Sequence, residues 1–359
     1  MPNVFASVQE RQGIFRREEA LSPDFLPETL PGREAQEREI ASLLSPAASG
    51  KRSRNIFISG PPGTGKTATC RHVLAQLQEY SSKPACVFVN CWHHDTRQSV
   101  LSEIAQKLGQ AIPRRGVAAD EVYDRVLGQL KRDRQVCVVF LDEADKLSNG
   151  EEKVLYDLGR AGEAHGVFIA IVMVSNDEGL LARTDARIRS SLSPACIEFK
   201  AYKPTELKAI LAKRTEAAFA PGACPPESIA LCAAHASMLG GDARIAISAL
   251  YAAGKSAEAK GHRIVEEDDA REAIGKSMTS AQEKLERDRE ELITGEKKVL
   301  AALEQAGGET TSGDLYALLS GMSPRSVRNY LAGLEGRKII ETQMVQKEGQ
   351  MVRIVRLRE

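Results

Sequence analysis

Gly60-Pro61-Pro62-Gly63-Thr64-Gly65-Lys66-Thr67 reads G-x-x-x-x-G-K-T. It follows the apolar run Asn55-Ile56-Phe57-Ile58-Ser59 and precedes a helical run from Ala68 to Glu79. That strand–loop–helix setting is what a phosphate-binding loop requires. Glycines at 60, 63 and 65 let the backbone turn tightly enough to aim its N–H groups inward. Those groups and the following helix N-terminus make a pocket for anionic oxygens. Pro61, Pro62, Thr64 and Ala68 complete the cradle, Lys66 reaches the β- and γ-phosphates, and the Thr67 hydroxyl ligates Mg²⁺. A glycine-rich turn that binds nothing is the alternative, and the flanking strand and helix weigh against it.

Further strand-like runs lie on either side. Cys86–Asn90, Gln135–Leu141, Val167–Ser175 and Cys196–Phe199 are continuous apolar segments separated by helical stretches. Such strands imply an α/β fold, a parallel sheet covered on both faces. Val138-Val139-Phe140-Leu141 delivers Asp142 and Glu143 to a strand's carboxyl end, where ligands of parallel sheets sit. There Asp142 holds Mg²⁺, directly or through water, and Glu143 orients and polarises the attacking water. Asn176 ends the next strand. It either hydrogen-bonds the γ-phosphate or lytic water, or is a turn residue.

From Pro204 four helical stretches follow without a strand pattern. Within them, Asp242 of Gly241-Asp242-Ala243-Arg244 is a plausible N-cap. Arg244 in the first turn either reaches the phosphates, pairs with Asp242, or is solvated. Residues 277–291 are heavily charged and read as an exposed helix. The chain therefore divides into an irregular segment, expected to be partly mobile, at 1–30, an α/β nucleotide-binding domain at 31–203, a helical lid at 204–276, a linker at 277–293 and a C-terminal domain at 294–359. The last shows three helices and a β-hairpin, a winged helix-turn-helix.

Its third helix begins with Ser323 as cap and Pro324 at the first helical position. Val327, Leu331 and Leu334 make its buried stripe. Arg325, Arg328, Asn329 and Ala332 fall opposite, where Arg meets phosphates or guanine and Asn meets adenine. The wing adds Lys347, Gln350 and Arg353. From Gly321 onward eight Lys/Arg face four Glu, so local charge is positive although the chain's net charge is +0. The alternative is a protein-contact module. Arg114 and Arg115, on a Pro/Gly-bounded loop, either touch DNA phosphates or are simply exposed.

Together these motifs resemble the AAA+ ATPases, and most specifically the archaeal origin-recognition and helicase-loading initiators. The resemblance covers nearly the whole chain and adds Pro31-x-Arg33-Glu34 and Arg187-x-x-Ser190-Ser191-Leu192. It implies that Arg33 and Glu34 lie near adenine, that Asn176 and Arg244 act as first and second sensors, and that Arg187 contacts a neighbouring subunit's nucleotide. The family often has His at Gly32 and Pro at Ala186, and Arg189 competes with Arg187. The resemblance implies ATP/ADP and Mg²⁺ as cofactors and slow, switch-like ATP hydrolysis. The implied partners are double-stranded origin DNA, an MCM-type replicative helicase and other copies of the chain, with a cytoplasmic, nucleoid-associated location. A nucleotide-stabilised DNA-binding adaptor, a clamp loader and a transposition or plasmid-partner ATPase are the rivals. Clamp loaders usually carry Ser-Arg-Cys where Ser190-Ser191-Leu192 stands.

Composition narrows the rest. The 42% hydrophobic content supplies an ordinary core. No apolar run is long enough for a membrane helix, and Met1–Arg17 lacks a secretory signal's apolar core. The 7 scattered cysteines read as buried thiols in a reducing compartment. Cys91-Trp92-His93-His94-Asp95 lacks a second ligand pair and argues against metal beyond Mg²⁺.

Overall fold

The computed structural model describes residues 13–113, 116–147, 150–276, 294–319, 321–336, 339–347 and 350–357, with the side chains of 344, 346, 347, 350 and 351 also left undescribed. The chain divides into two compact units, Met1–Ile274 and Gly275–Glu359. Among the described residues no helix is long and apolar enough to cross a membrane.

The first unit is built on β1 (Ile56–Ser59), β2 (Ala85–Asn90), β3 (Cys137–Asp142), β4 (Ile169–Ser175) and β5 (Ala195–Glu198). They form one parallel sheet in the order β2-β3-β4-β1-β5. β3 and β4 are buried at every position, so both faces must be covered by helices. On one face α3 (Arg97–Lys107), α4 (Ala119–Asp133) and α5 (Lys153–His165) pack over Val89, Val139 and Leu141. On the other, α1 (Glu34–Ala48) and α2 (Lys66–Tyr80) pack Ile40, Leu44 and Val73 against Val138 and Phe140. Two short helices, α6 (Leu180–Arg183) and α7 (Ala186–Leu192), lead into β5. Register aligns Ser59 with Ser175, and Asn90 with Asp142. The phosphate-loop candidate and the two acids therefore emerge at one edge of the sheet.

Beyond β5, α8 (Pro204–Ala218), α9 (Pro226–Met238), α10 (Ala243–Lys260) and a helix α11 at 267–276 share a separate core. Ile14, Ala20 and Leu21 belong to that core. The stretch before Pro31, read as irregular and partly mobile, carries a 3₁₀ turn at Glu18–Leu21 and is packed where it is described. Phe15 bridges Phe219 with ring centroids 4.7 Å apart. The buried Arg214 donates to Ala20 O at 2.8 Å and Phe25 O at 2.9 Å. These contacts span nearly two hundred residues, so no local periodicity announces them.

The second unit contains α12 (Thr294–Gln305), β6 (Glu309–Thr311), α13 (Ser312–Leu318), α14 (Pro324–Gly336), β7 (Ile340–Lys347) and β8 (Gln350–Leu357). Its strands form an antiparallel sheet in the order β6-β8-β7. Val299, Leu303, Leu315, Val327, Leu331 and Leu334 fill its core. The β7–β8 hairpin matches expectation; β6, three residues long, carries too little pattern to be read from sequence.

Candidate functional site

The phosphate loop leaves β1 through Gly60, whose φ of +143° and contact with the Phe199 carbonyl leave no room for a Cβ. Gly63, at φ +73°, packs directly on the Asp242 carboxylate of the lid. Lys66 opens α2 and is 6% exposed. Its ammonium donates to Gly60 O and Pro61 O at 2.7 Å each and to Asn176 Oδ1 at 2.8 Å. Burial pulls this ammonium down to about 8, against attraction from Asp142. The lysine, loop and first-sensor candidate thus converge on one point.

Beside them, the Thr67 hydroxyl donates to both Asp142 oxygens, at 3.1 and 3.0 Å. Asp142 is 3% exposed. Desolvation raises its carboxyl above the usual range, while the Thr67 hydrogen bond lowers it. Glu143 follows in a left-handed turn at φ +54° and is half-buried. Asp145, the last residue of the Asp142-Glu143-Ala144-Asp145 run, to which sequence reasoning gave no role, accepts from Ser175 Oγ at 2.9 Å and from the Asn176 N–H at 3.4 Å. It ties the loop after β3 to the loop after β4 and so sets the direction of Asn176.

The lid closes the site from above. Asp242 caps α10 through the Arg244 N–H at 2.8 Å, and the Ala243 N–H donates to Gly63 O at 3.1 Å. Arg244 lines the cleft while its guanidinium pairs with Asp242 at 3.1 Å. Of the three readings of Arg244, the described arrangement is the Asp242-paired one, at the wall of the cleft.

The cleft has a volume of about 830 Å³ and is lined at its polar end by Pro62–Ala68, Asn90, Asp142, Glu143 and Asn176. Its apolar end is walled by Phe25, Leu26 and Leu30 from the amino-terminal segment and by Ile210 and Ile247 from the lid. Sequence reasoning missed this wall. Arg33 and Glu34, expected beside adenine, do not line the cleft. Arg33 is 3% exposed beneath the loop and donates to Thr64 O and Lys200 O, both at 2.7 Å, and to Gly32 O at 2.9 Å. Its guanidinium stacks on Tyr202 at 3.8 Å. Each of its three nitrogens is engaged by a backbone carbonyl, and it joins the phosphate loop to the connection between sheet and lid. Glu34 is exposed and accepts from the Gly32 N–H at 3.2 Å. Gly60 and Pro61 also lie outside the cleft lining, and their carbonyls hold Lys66.

Away from the cleft, Arg187 is exposed on α7, and its side chain has no partner among the described residues. Arg189 leans on Leu181 O and Ala182 O at 3.4 and 3.5 Å. In the second unit Arg325, Arg328, Asn329 and Ala332 are exposed along one face of α14 while Val327, Leu331 and Leu334 are buried on the other. Arg353 is committed internally, to Glu335 at 3.2 Å and Thr342 Oγ1 at 2.8 Å. Arg114, Arg115 and the Lys347 side chain lie outside the described residues.

Comparison with known proteins identifies the family. A family model described as an AAA domain matches residues 49–179, and one described as a Cdc6 AAA+ ATPase-type lid domain matches residues 208–275. The chain is 36% identical over 334 residues to ORC1-type DNA replication protein 1 of Aeropyrum pernix, covering 88% of this chain and 82% of that relative. It is 39% identical over 282 residues to the Archaeoglobus fulgidus protein of the same name, covering 77% and 69%. The solved structure of the Aeropyrum pernix ORC1 protein in complex with DNA superposes with a TM-score of 0.71 at 31% identity, over 96% of this chain and 94% of that one. The chain belongs to the ORC1-type DNA replication proteins, the archaeal ORC1/Cdc6-type initiators with an AAA domain and a Cdc6-type lid.

Proposed function

We propose that this protein is an ATP-dependent replication initiator that binds origin duplex DNA and recruits or loads an MCM-type helicase. The observation that carries the reading is the convergence of Lys66, Asn176 and the Thr67–Asp142 pair beneath a lid turn bearing Arg244. A triphosphate entering the cleft offers Lys66 anionic oxygens in place of the neutral carbonyls it now holds, and draws Arg244 from Asp242. Because Ala243 rests on Gly63, that exchange biases the lid. Hydrolysis is slow and switch-like: Glu143 polarises water, Asn176 orients it, and Lys66 neutralises charge developing on the γ-phosphoryl.

Asp142 is a buried carboxylate with no ion-pair partner among the described residues, and it faces a hydroxyl. That set of hard oxygen donors fits Mg²⁺, which would supply positive charge to offset that of the phosphates. Thr67 and Asp142 would hold it.

We assign the second unit as a winged helix carrying the DNA contact, with Arg325, Arg328 and Asn329 of α14 toward the groove and the Lys347 wing tip on the backbone. The Aeropyrum pernix ORC1 structure, a complex with DNA, supports that reading. Arg114 and Arg115 are assigned a second backbone contact, and Arg187 the nucleotide of a neighbouring copy. The domain boundaries at 31, 204 and 294 follow from the same assignment. Footprinting on origin-bearing DNA with ATP and with ADP tests the whole reading. A discrete protected site that depends on the nucleotide is expected; uniform or absent protection rejects it.

A further inference from the structure

The amino ends of the strands, at the sheet edge away from the cleft, carry a charge pattern the nucleotide chemistry does not use. Strands of six residues hold the two edges about 20 Å apart, so this edge cannot reach the phosphates. Its loops are knitted together. Ser81 Oγ donates to Ala48 O at 2.8 Å, and Gln135 Nε2 donates to Ser82 O at 3.5 Å. A Cβ on Gly50 would lie 3.7 Å from Lys83 Cδ, and the Arg52 guanidinium lies 5.8 Å from the Phe168 ring centroid. Lys83, Arg134, Phe168 and Arg54 precede β2, β3, β4 and β1, which are neighbours in the sheet. At ordinary strand spacing the edge is about 15 Å across.

Lys51, Arg52, Arg54, Lys83 and Arg134 are exposed there and form no ion pair among the described residues. Of the acids near these cations in sequence, Glu79 and Asp133, the second is engaged by Gln129 at 2.7 Å. Some exposed arginines elsewhere on this unit are ion-paired, as Arg17 is with Glu19 and Arg160 with Glu163, and others, such as Arg38 and Arg71, are not among the described residues, so the feature of this edge is the gathering of five cations on one rim. Tyr80 lies three residues before Lys83 and is 83% exposed, so its ring face is open to a stacking partner.

The geometry points to a second nucleic-acid site: this edge binds single-stranded DNA, the cations meeting phosphates and Tyr80 stacking on a base. Unpaired cations spread along an edge match the regular charge of a phosphate backbone. A duplex keeps its bases stacked inside and offers Tyr80 nothing, whereas a single strand presents a ring face. The site is independent of the duplex contact assigned to α14.

The test uses the full chain and the anisotropy of a labelled oligothymidylate of about 30 nucleotides. Lys51→Ser with Arg54→Ser and Lys83→Ser is expected to weaken binding on the order of tenfold and to flatten the salt slope by about 2. Tyr80→Ala weakens binding without altering the slope, and Arg325→Ala with Arg328→Ala leaves it unchanged while duplex binding falls. Unaltered ATP binding by the triple variant reports an intact fold. Oligothymidylate binding as tight in the triple variant as in the parent overturns the site. So does loss confined to the Arg325 and Arg328 variant, and so does equal displacement by polyglutamate with Tyr80→Ala silent, which would mark an acidic protein segment as the ligand.

Discussion

Lys66 holds its proton less firmly than an ordinary lysine because burial outweighs the pull of Asp142. The sign of the consequence is fixed. Above about 8 the ammonium loses its proton in the free protein, while a bound triphosphate keeps it charged. Binding then takes up a proton, so affinity falls as pH rises. Between pH 7 and pH 9 the ATP dissociation constant should rise about tenfold. Calorimetry in buffers of different ionisation enthalpy should record the proton uptake at pH 9, and a pH-independent constant would leave Lys66 out of the phosphate contact. Glu143 is the companion case. Glu143→Gln should keep ATP affinity within about twofold and reduce single-turnover hydrolysis by about 10²–10⁴; undiminished turnover would free Glu143 from its assigned role. Both residues were legible from spacing alone, since the motif's chemistry lies in adjacent residues. Arg33 was not: its work depends on Thr64 O and Lys200 O, and a sequence does not show which carbonyls will lack a donor.

At the scale of elements, α14 separates two roles by face. Leu331 is 1% exposed in the second unit's core, while Arg325 is exposed. Leu331→Ala should cost that unit about 2–5 kcal/mol, whereas Arg325→Ala should stay within about 0.5 kcal/mol. Denaturant titration of both variants, read beside duplex affinity, decides whether the exposed face is functional. A loss of duplex binding by Arg325→Ala without loss of stability is the expected pattern. The apolar back of α14 and the long hydrophobic strands β3 and β4 could be read from period and composition. The amino-terminal segment could not. Its apolar residues, Ile14, Phe15 and Leu21, follow no helical or strand period because each meets a partner far along the chain, Phe219 for Phe15. β6 escaped for the opposite reason, being too short to establish any alternation.

For the molecule as a whole, the described hydrophobic clusters fall within one unit or the other, and none spans both. The cleft lies wholly within the first unit. A ligand bound there stabilises what it touches by mass action, about 2.7 kcal/mol at a hundredfold excess over its dissociation constant. Thermal unfolding should therefore resolve two transitions, with saturating ATP raising the one that belongs to residues 13–274 and leaving the other within a degree or so. A single transition that moves as one would reveal energetic coupling between the units.

The amino-terminal segment bears on how the protein should be handled. Glu18 receives Tyr251 and Lys255 from the lid at 2.7 and 2.9 Å, and Arg214 grips two of the segment's carbonyls. A polypeptide trimmed to start at Pro31 would retain the entire G-x-x-x-x-G-K-T motif and would still look complete to a motif search. It would also lack one wall of its ligand chamber and leave Phe219 and Ile210 facing water. Such a truncate should express poorly or hold nucleotide weakly, and neither result would say anything about the motif itself.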